Sequence, residues 1–353
     1  MNKLTNDISP SDLQLVSSRI TNSVGLIIEQ SRRNIAIYLN SEVSMTYWRI
    51  GQHIAKELDA IGDEKYGSKI VSTVSRQLTA RYGKGYTRSA IIRMVKIARE
   101  YPEEQIAATL SHHLTWSHFV ELIAISKPAK RLFYQQMSIV NNWSVRQLRD
   151  QEDSMAYERT IIATKTEEEQ IKVLSSVTED NISPDVILKS SYIVNFLGLS
   201  RGFSEEDLED AVVEQLEKFI MELGSDFAFL ERQKKISIDS IDYRLDLLFY
   251  HRRLHRLLAI DLKLGKFKPE HKGQMELYLK YLKKYEKQPD EEDPIGLLLC
   301  SEGNTEHIEL LMLDEQNIKV AQYLTVLPEK QWFIDKMNRS ILIAKEQQIE
   351  EKE

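Results

Sequence analysis

Residues 242–279 read DYRLDLLFYHRRLHRLLAIDLKLGKFKPEHKGQMELYL. Two apolar runs joined by a short basic stretch predict a β-hairpin, and the pattern that follows predicts a helix. Asp246 lies inside the first apolar run, and Asp261 and Lys263 lie inside the second. Because side chains alternate along a strand, Asp261 and Lys263 share one face. Burying an unpaired charge is costly, so these three residues need an explanation.

Two explanations are open at this point. A structural ion pair with Lys263, or a position at a fraying strand end, would explain the charges without any function. Alternatively, two carboxylates on neighbouring strands can hold Mg²⁺ through oxygen ligands, and a lysine two residues further on can orient or deprotonate an attacking water. The second arrangement is suited to phosphodiester hydrolysis.

The elements around the hairpin follow the order α-β-β-β-α-β, then α-β. Ser204 and the acids after it begin the first helix, and Gly224 ends it. The pattern predicts helices over 204–223, 270–287 and near 303–313, and strands over 227–232, 243–251, 254–264, 295–300 and 318–324.

The first half of the chain has a helical pattern throughout, and a polar, acidic stretch follows it. We expect a helical N-terminal domain at 13–162, a linker at 163–183, an α/β domain at 184–330 and a helical tail at 331–353. The 353-residue length fits two domains.

Composition excludes several classes of protein. Cys300 is the only cysteine, so an internal disulfide is impossible, and the sequence has no Cys/His cluster for zinc. The apolar runs are far shorter than the ~18–20 residues of a membrane span. The N-terminal residues are polar and lack the apolar core of a signal peptide. We therefore expect a cytoplasmic protein with no membrane partner.

The net charge of −7 argues only weakly against a nucleic-acid partner, because the charge is unevenly distributed. Residues 1–150 and residues 231–288 each carry a net charge of +7. Residues 71–99 contain seven bases and no acid, with Thr87 as the expected N-cap of a helix over 87–100. This pattern is similar to a helix-turn-helix or winged-helix domain. A purely structural helical scaffold is the alternative, and phosphate contacts through Arg88, Arg93 and Lys96 are the more modest prediction.

The motif in residues 246–263 resembles a known signature. Asp246, a short hairpin and then Asp261-Leu262-Lys263 match the D…(D/E)xK pattern of the PD-(D/E)XK nuclease superfamily. Longer segments are similar to the bacterial YhcG-like nucleases. They are 216–233, 246–279 and 294–300, with 47–58, 114–125 and 142–151 in the N-terminal half. The resemblance extends from about residue 25 to 325.

The resemblance implies a fold and a site. It implies a restriction-endonuclease-like α/β core with a mixed sheet flanked by helices, preceded by an all-α domain. It also implies that Asp246 and Asp261 bind Mg²⁺ or Mn²⁺, that the Leu262 carbonyl adds a ligand, and that Lys263 is the catalytic lysine. Residue 245 is Leu where the superfamily name has Pro, and Asp261 stands where close relatives usually carry Glu.

Further residues are assigned to the site by the same resemblance. Gln274 and Tyr278 match a QxxxY pattern and share a helix face, with Gln274 expected to line the site and Tyr278 either to contact nucleic acid or to pack in the core. The first helix often supplies another carboxylate, and Glu217 is a better candidate than Glu214 on the helical wheel; a solvated Glu217 is the alternative. The bases expected to contact phosphates are Arg232, Arg252, Arg253, Lys266 and Lys268.

These observations predict a Mg²⁺-dependent nuclease that hydrolyses DNA. The alternatives are a catalytically silent nucleic-acid-binding or assembly protein with the same fold, and a nuclease that acts on RNA or branched junctions. Association into a homo-oligomer is compatible with the sequence.

Overall fold

The structure is a computed structural model. It describes residues 10–103, 105–106, 114–178, 181–199, 202–224, 226–302, 317–326, 328–338 and 341. The chain divides into two compact units, Met1–Ser126 and Lys127–Glu353. The expected helix near 303–313 lies outside the described residues, and so do residues 342–353 of the expected tail. No helix within the described ranges is both long enough and apolar enough to cross a membrane.

The first unit is helical, as its pattern predicts. Its core includes Ala55, Val71, Ile91 and Val95. Gly51 allows two helices to cross closely, because a Cβ atom there would lie 2.1 Å from the carbonyl oxygen of Met94. The helices are α1 (Pro10–Ile61), α2 (Glu64–Tyr82), α3 (Arg88–Glu100) and α4 (Trp116–Leu122).

Helices α2 and α3 form the expected helical hairpin. One turn of 3₁₀ helix over Lys84–Tyr86 joins them. The Thr87 hydroxyl accepts a hydrogen bond from the Ala90 N–H at 3.4 Å, which confirms Thr87 as the N-cap of α3. The described residues of this unit contain no β-strand, so the winged-helix variant of the prediction has no wing there.

The second unit contains the mixed sheet that the sequence predicts. Its described strands form one six-stranded sheet in the order β1-β6-β5-β4-β3-β2. Strands β2, β3 and β4 are antiparallel neighbours, and β4, β5, β6 and β1 pair in parallel. The strands are β1 (Ser191–Ile193), β2 (Phe227–Ile238), β3 (Ile241–His251), β4 (Arg256–Lys263), β5 (Ile295–Cys300) and β6 (Ile318–Leu324).

The helices of this unit come before and between those strands, and residues 330–338, in the first part of the expected tail, are also helical. The long helix after β4 packs closely on the sheet, because a Cβ atom at Gly296 would lie 2.5 Å from the Met275 side chain. The helices are α5 (Pro128–Val140), α6 (Val145–Asp153), α7 (Ala156–Arg159), α8 (Glu167–Ser175), α9 (Pro184–Ile187), α10 (Glu205–Glu214), α11 (Leu216–Leu223) and α12 (Pro269–Tyr285).

Three features differ from the expectations. The helix expected over 204–223 is interrupted at Gln215, which has φ −106° and ψ 32°. Strand β1 is three residues long and too short to give a periodic signal. Residues 163–183, expected as a linker, contain helix α8, whose Gln170 and Leu174 are fully buried. The stretch is polar overall, but these two side chains pack it into the second unit.

Candidate active site

Two carboxylates face each other where the β3–β4 ladder ends. The last paired residues of this ladder are Leu247 and Ile260. Asp246 and Asp261 occupy the next position on each strand, and directly opposed residues of antiparallel strands point to the same face. Asp261 is 1% exposed and Asp246 is half-buried. The two carboxylates therefore converge on one face of neighbouring strands.

Asp246 is held by one main-chain and one side-chain donor. Its Oδ2 accepts a hydrogen bond from the Leu262 N–H at 2.8 Å, and its Oδ1 accepts one from Gln233 Nε2 at 3.2 Å. Burial and the neighbouring charge of Asp261 raise the pKa of Asp246 to about 7, although the Leu262 N–H acts in the opposite direction. The Leu262 contact described by the structure is this N–H; the role of its carbonyl stays a prediction.

Asp261 has a cationic neighbour but few other partners. Its Oδ2 lies 2.9 Å from Lys263 Nζ, which is also 4.0 Å from a Glu205 oxygen. Neither oxygen of the buried Asp261 carboxylate accepts a hydrogen bond of normal geometry from any described residue. Burial alone would lower the pKa of Lys263, but the neighbouring carboxylates together, Asp261 foremost and then Asp246 and Glu205, outweigh burial and raise the pKa. Lys263 is therefore a protonated cation, suited to stabilising negative charge rather than to accepting a proton.

Gln233 is a site residue to which the sequence assigned no role. It lies between the β2–β3 pairs Arg232–Leu247 and Lys234–Leu245, at the level of Asp246. Its amide nitrogen contacts both Asp246 and Glu209, the latter at 2.5 Å. Its φ of 50° is left-handed, which is unusual for a non-glycine residue inside a strand. A glutamine in a strand gives no sequence signal for either property.

The carboxylates that the first helix brings to the site differ from the one expected. Glu209 is buried and contacts Gln233, and Glu205 accepts a hydrogen bond from the Leu264 N–H at 2.9 Å. Glu217 instead lies exposed in the first turn of α11. The helical wheel was drawn through the break at Gln215, so it did not place Glu217 correctly, and the alternative of a solvated Glu217 is the one that the structure shows. The four-residue spacing of Glu205 and Glu209 after the Ser204 cap was the available signal.

Gln274 and Tyr278 form a hydrogen-bonded pair on α12. The Gln274 amide donates to the Tyr278 hydroxyl, which donates to the Arg244 carbonyl at 2.7 Å. Tyr278 is fully buried, and burial together with the charge of Asp261 raises its pKa to about 12. A fully buried ring cannot contact nucleic acid, so Tyr278 belongs to the core beside the site.

The bases expected around the site fall into two groups. Lys266 and Lys268 are exposed in the loop that follows β4, at the carboxylate end of the strand. Arg252 and Arg253 lie at the opposite end, in the hairpin loop, about 17 Å away at the usual rise per residue. Arg232 makes ion pairs with Glu209 and Asp210, both at 2.5 Å. The two lysines are therefore the better-placed candidates for phosphate contact.

The expected basic residues of the first unit are all on α3. Arg88, Arg93 and Lys96 are exposed. Lys96 Nζ donates to the Ile123 carbonyl at 2.9 Å, while Arg88 bonds the Ser68 hydroxyl at 3.2 Å. Lys96 thus has a structural contact, and the two arginines bond groups on their own or a neighbouring helix.

The carboxylates of Asp246 and Asp261 are oxygen ligands of the kind that a divalent cation binds. Across the described ranges, no group of three or more His, Cys, Asp or Glu side chains is arranged to hold a metal ion. Mg²⁺ usually keeps several waters and binds through one or two carboxylates. Asp261 Oδ1, which accepts no hydrogen bond from the described residues, and the like charge of Asp246 are the features that a cation would relieve.

Comparison with known proteins assigns both halves of the chain. Residues 185–338 match the YhcG PDDEXK nuclease domain, and residues 23–159 match the DUF1016 N-terminal domain. The chain is 31% identical over 352 residues to the protein named "Putative nuclease YhcG" of Escherichia coli (strain K12). That alignment covers 91% of this chain and 93% of the relative.

Two solved structures are also similar over part of the chain. A repair endonuclease from Pyrococcus abyssi is 18% identical, with a TM-score of 0.26, over 37% of this chain and 50% of that one. The structure of an EndoMS–dsDNA2 complex is 16% identical, with a TM-score of 0.28, over 37% of this chain and 48% of that one.

Proposed function

This chain belongs to the YhcG family, and from that premise we propose that it is a Mg²⁺- or Mn²⁺-dependent nuclease that hydrolyses DNA phosphodiester bonds. The proposal is carried by the arrangement of two carboxylates and one lysine. Asp246 and Asp261 converge at the end of the β3–β4 ladder, and Lys263 Nζ lies 2.9 Å from Asp261 Oδ2. No hydrogen bond of normal geometry from the described residues reaches the Asp261 carboxylate. A structural ion pair alone would leave a costly second carboxylate beside it.

Each residue has a separate role in this proposal. Asp246 and Asp261 would hold the cation, and a bound divalent cation supplies Lewis-acid stabilisation of a phosphoryl oxygen. The Leu262 N–H and Gln233 fix the orientation of Asp246. Lys263 stays protonated and donates hydrogen bonds to the attacking water and to the negative charge that develops on the phosphate.

Exposed lysines support a nucleic-acid substrate. Lys266 and Lys268 follow Lys263 in the chain and lie at the same end of β4 as the carboxylates. Together with Arg88 and Arg93 on α3, they provide cations for phosphate contacts, which are independent of sequence.

The test is a cleavage assay on the full chain. Linear, circular, branched and single-stranded DNA, and RNA, are incubated with Mg²⁺ or Mn²⁺ and with EDTA. We expect metal-dependent cleavage of DNA that Asp261→Asn abolishes and that Lys280→Ala, an exposed lysine on α12, leaves unchanged. Binding without cleavage of any substrate would favour the silent nucleic-acid-binding alternative. Cleavage of RNA or of branched junctions only would retain the site and change the substrate.

A further inference from the structure

Helix α1 carries an apolar stripe that no described residue covers in its first half. We define the α1 stripe as Ile20, Val24, Ile27, Ile28, Ile35, Tyr38 and Leu39. At 100° per residue these side chains fall within an arc of roughly 120°. Each is between 46% and 68% exposed, whereas Met45 and Trp48, further along the same helix, are 7% and 1% exposed.

A helix of this composition needs a partner. Residues 17–43 are exposed apart from half-buried positions 25, 37 and 41. Five of the seven stripe residues are Ile or Val, whose stiff side chains lower helix propensity. Most helix stability in proteins comes from packing an amphipathic face. Because burial of large apolar side chains is a main source of stability, seven exposed ones represent a large unrealised stabilisation.

We propose that the α1 stripe packs against the same stripe of a second copy of this chain, with the two helices antiparallel. Full burial of a large apolar side chain removes roughly 60–120 Å² of surface from water. Seven side chains on each of two copies then supply on the order of 1,000 Å² or more, which is the area a specific interface requires. The stripe contains no Lys or Arg, so its chemistry does not match a nucleic acid.

The order of side chains favours the antiparallel arrangement. With a two-fold axis at Ser31, Ile27 lies level with Ile35 of the second copy, and Val24 lies level with Tyr38 of the second copy. The Tyr38 ring of one copy then faces the smaller Val24 side chain of the other, and the small Ser31 side chain lies where the two helices are nearest. In a parallel pair the two Tyr38 rings would face each other and crowd the interface, and the two Ser31 side chains would face each other and leave a gap.

The first test measures association of the full chain by sedimentation velocity. We expect a dimer, and Ile27→Glu combined with Ile35→Glu should weaken association by at least about 100-fold, because charges would be buried without partners. The matched control is Asn22→Glu combined with Asn40→Glu, which adds the same charges to exposed positions on the opposite face of α1 and should leave the dimer intact. A monomeric parent chain at about 100 μM would overturn the proposal.

The second test does not depend on the folding of a charged variant. Cys300 is buried, so a disulfide between chains can be assigned to the introduced cysteines. Chains carrying Val24→Cys are mixed with chains carrying Tyr38→Cys and oxidised. The antiparallel proposal expects the mixed 24–38 disulfide, while 24–24 and 38–38 disulfides alone would contradict it. Photo-crosslinking from position 35 only to residues 127–353, to a different protein, or to lipid vesicles would also overturn it.

Discussion

The β3–β4 pair carries charged residues at both of its ends, and the two ends differ in how those charges are balanced. At the hairpin end, Arg253 pairs with Asp226 at 2.8 Å and Arg256 lies 3.7 Å from Glu292. At the other end, two carboxylates converge on Lys263. The density of charge along the chain is similar at both ends. The difference teaches that excess buried charge, rather than charge itself, marks the candidate site.

The sharpest test of this comparison removes one cation from each end. Lys263→Ala should reduce the single-turnover cleavage rate by ~10²–10³, because a preorganised electrostatic contact is lost. Arg253→Ala should leave that rate unchanged and lower the stability, since it breaks the pair with Asp226 and a hydrogen bond to Asn141, both remote from the carboxylates. Both variants are compared in cleavage and in equilibrium binding of the same labelled duplex. Equal rates for Lys263→Ala and the parent would show that the active site lies elsewhere.

The hairpin end should also set a pH dependence of stability. Burial and the charge of Arg253 lower the pKa of His251 to about 4 in the folded chain, although Asp226 acts in the opposite direction. The unfolded chain then binds more protons between pH 4 and 6.5, so the stability present above pH 6.5 is lost as the pH falls, by up to about 3 kcal/mol. Urea unfolding from pH 4 to pH 8 measures it. His251→Asn should flatten this segment of the curve; an unchanged curve would assign the effect to other groups.

At the carboxylate end, removing one charge should raise the stability of the folded chain, whereas Arg253→Ala at the hairpin end should lower it. In metal-free protein, Asp246→Asn relieves repulsion with Asp261 and keeps the Asp261–Lys263 pair, so stability should rise by about 1–2 kcal/mol. The same variant should lose the increase in Tm that Mg²⁺ or Mn²⁺ gives the parent. Asp242→Asn, at an exposed position of the same strand, is the control. A normal metal-induced shift in Asp246→Asn would remove Asp246 from the ligand set.

A smaller effect is expected for the residue that orients Asp246. Gln233→Ala removes the contacts to Asp246 and Glu209 and should lower both the cleavage rate and the affinity for Mn²⁺ by about tenfold. Gln288→Ala, at an exposed position, should change neither quantity. Calorimetry with Mn²⁺ separates a loss of metal binding from a general loss of structure, which circular dichroism checks. Unchanged Mn²⁺ affinity would make Gln233 a structural residue only.

The basic face of α3 should affect binding and leave cleavage chemistry intact. Replacing Arg88, Arg93 and Lys96 with Ala should weaken DNA binding and reduce its salt slope by up to about one unit for each lost phosphate contact. We expect Arg88 and Arg93 to account for most of the change, because Lys96 already contacts the Ile123 carbonyl. A salt titration of binding measures the slope, and an unchanged slope would favour the scaffold interpretation of the first unit.

The sequence predicted best those features that depend on the residues of a single strand, namely strand bounds and the face on which a side chain lies. Residues 295–300 are an apolar run and residues 318–324 are mainly apolar, and the structure confirms a strand at both bounds. Period-two alternation also predicted that Asp261 and Lys263 share a face. Gln233 and Glu209 could not be found in this way, because a left-handed φ and a contact 24 residues apart depend on how helix and strand pack.

Two residue placements were predicted from local patterns along the chain, and the structure places those residues elsewhere. The hairpin arginines lie within ten residues of Asp246, yet an extended strand carries them to the far end of the sheet. The break at Gln215 rotates α11 relative to α10, so a wheel drawn through it could not place Glu217. Both errors come from treating a local pattern as if it fixed positions in space.

The hydrogen bond from the Leu262 N–H to Asp246 gives the protein its own reporter group. This amide proton is bonded to the carboxylate under study. Its chemical shift and its exchange with deuterated solvent should therefore follow any ligand that binds Asp246. In a ¹⁵N-labelled sample, this one resonance would let a titration be followed without a dye, a substrate or a substitution at the site.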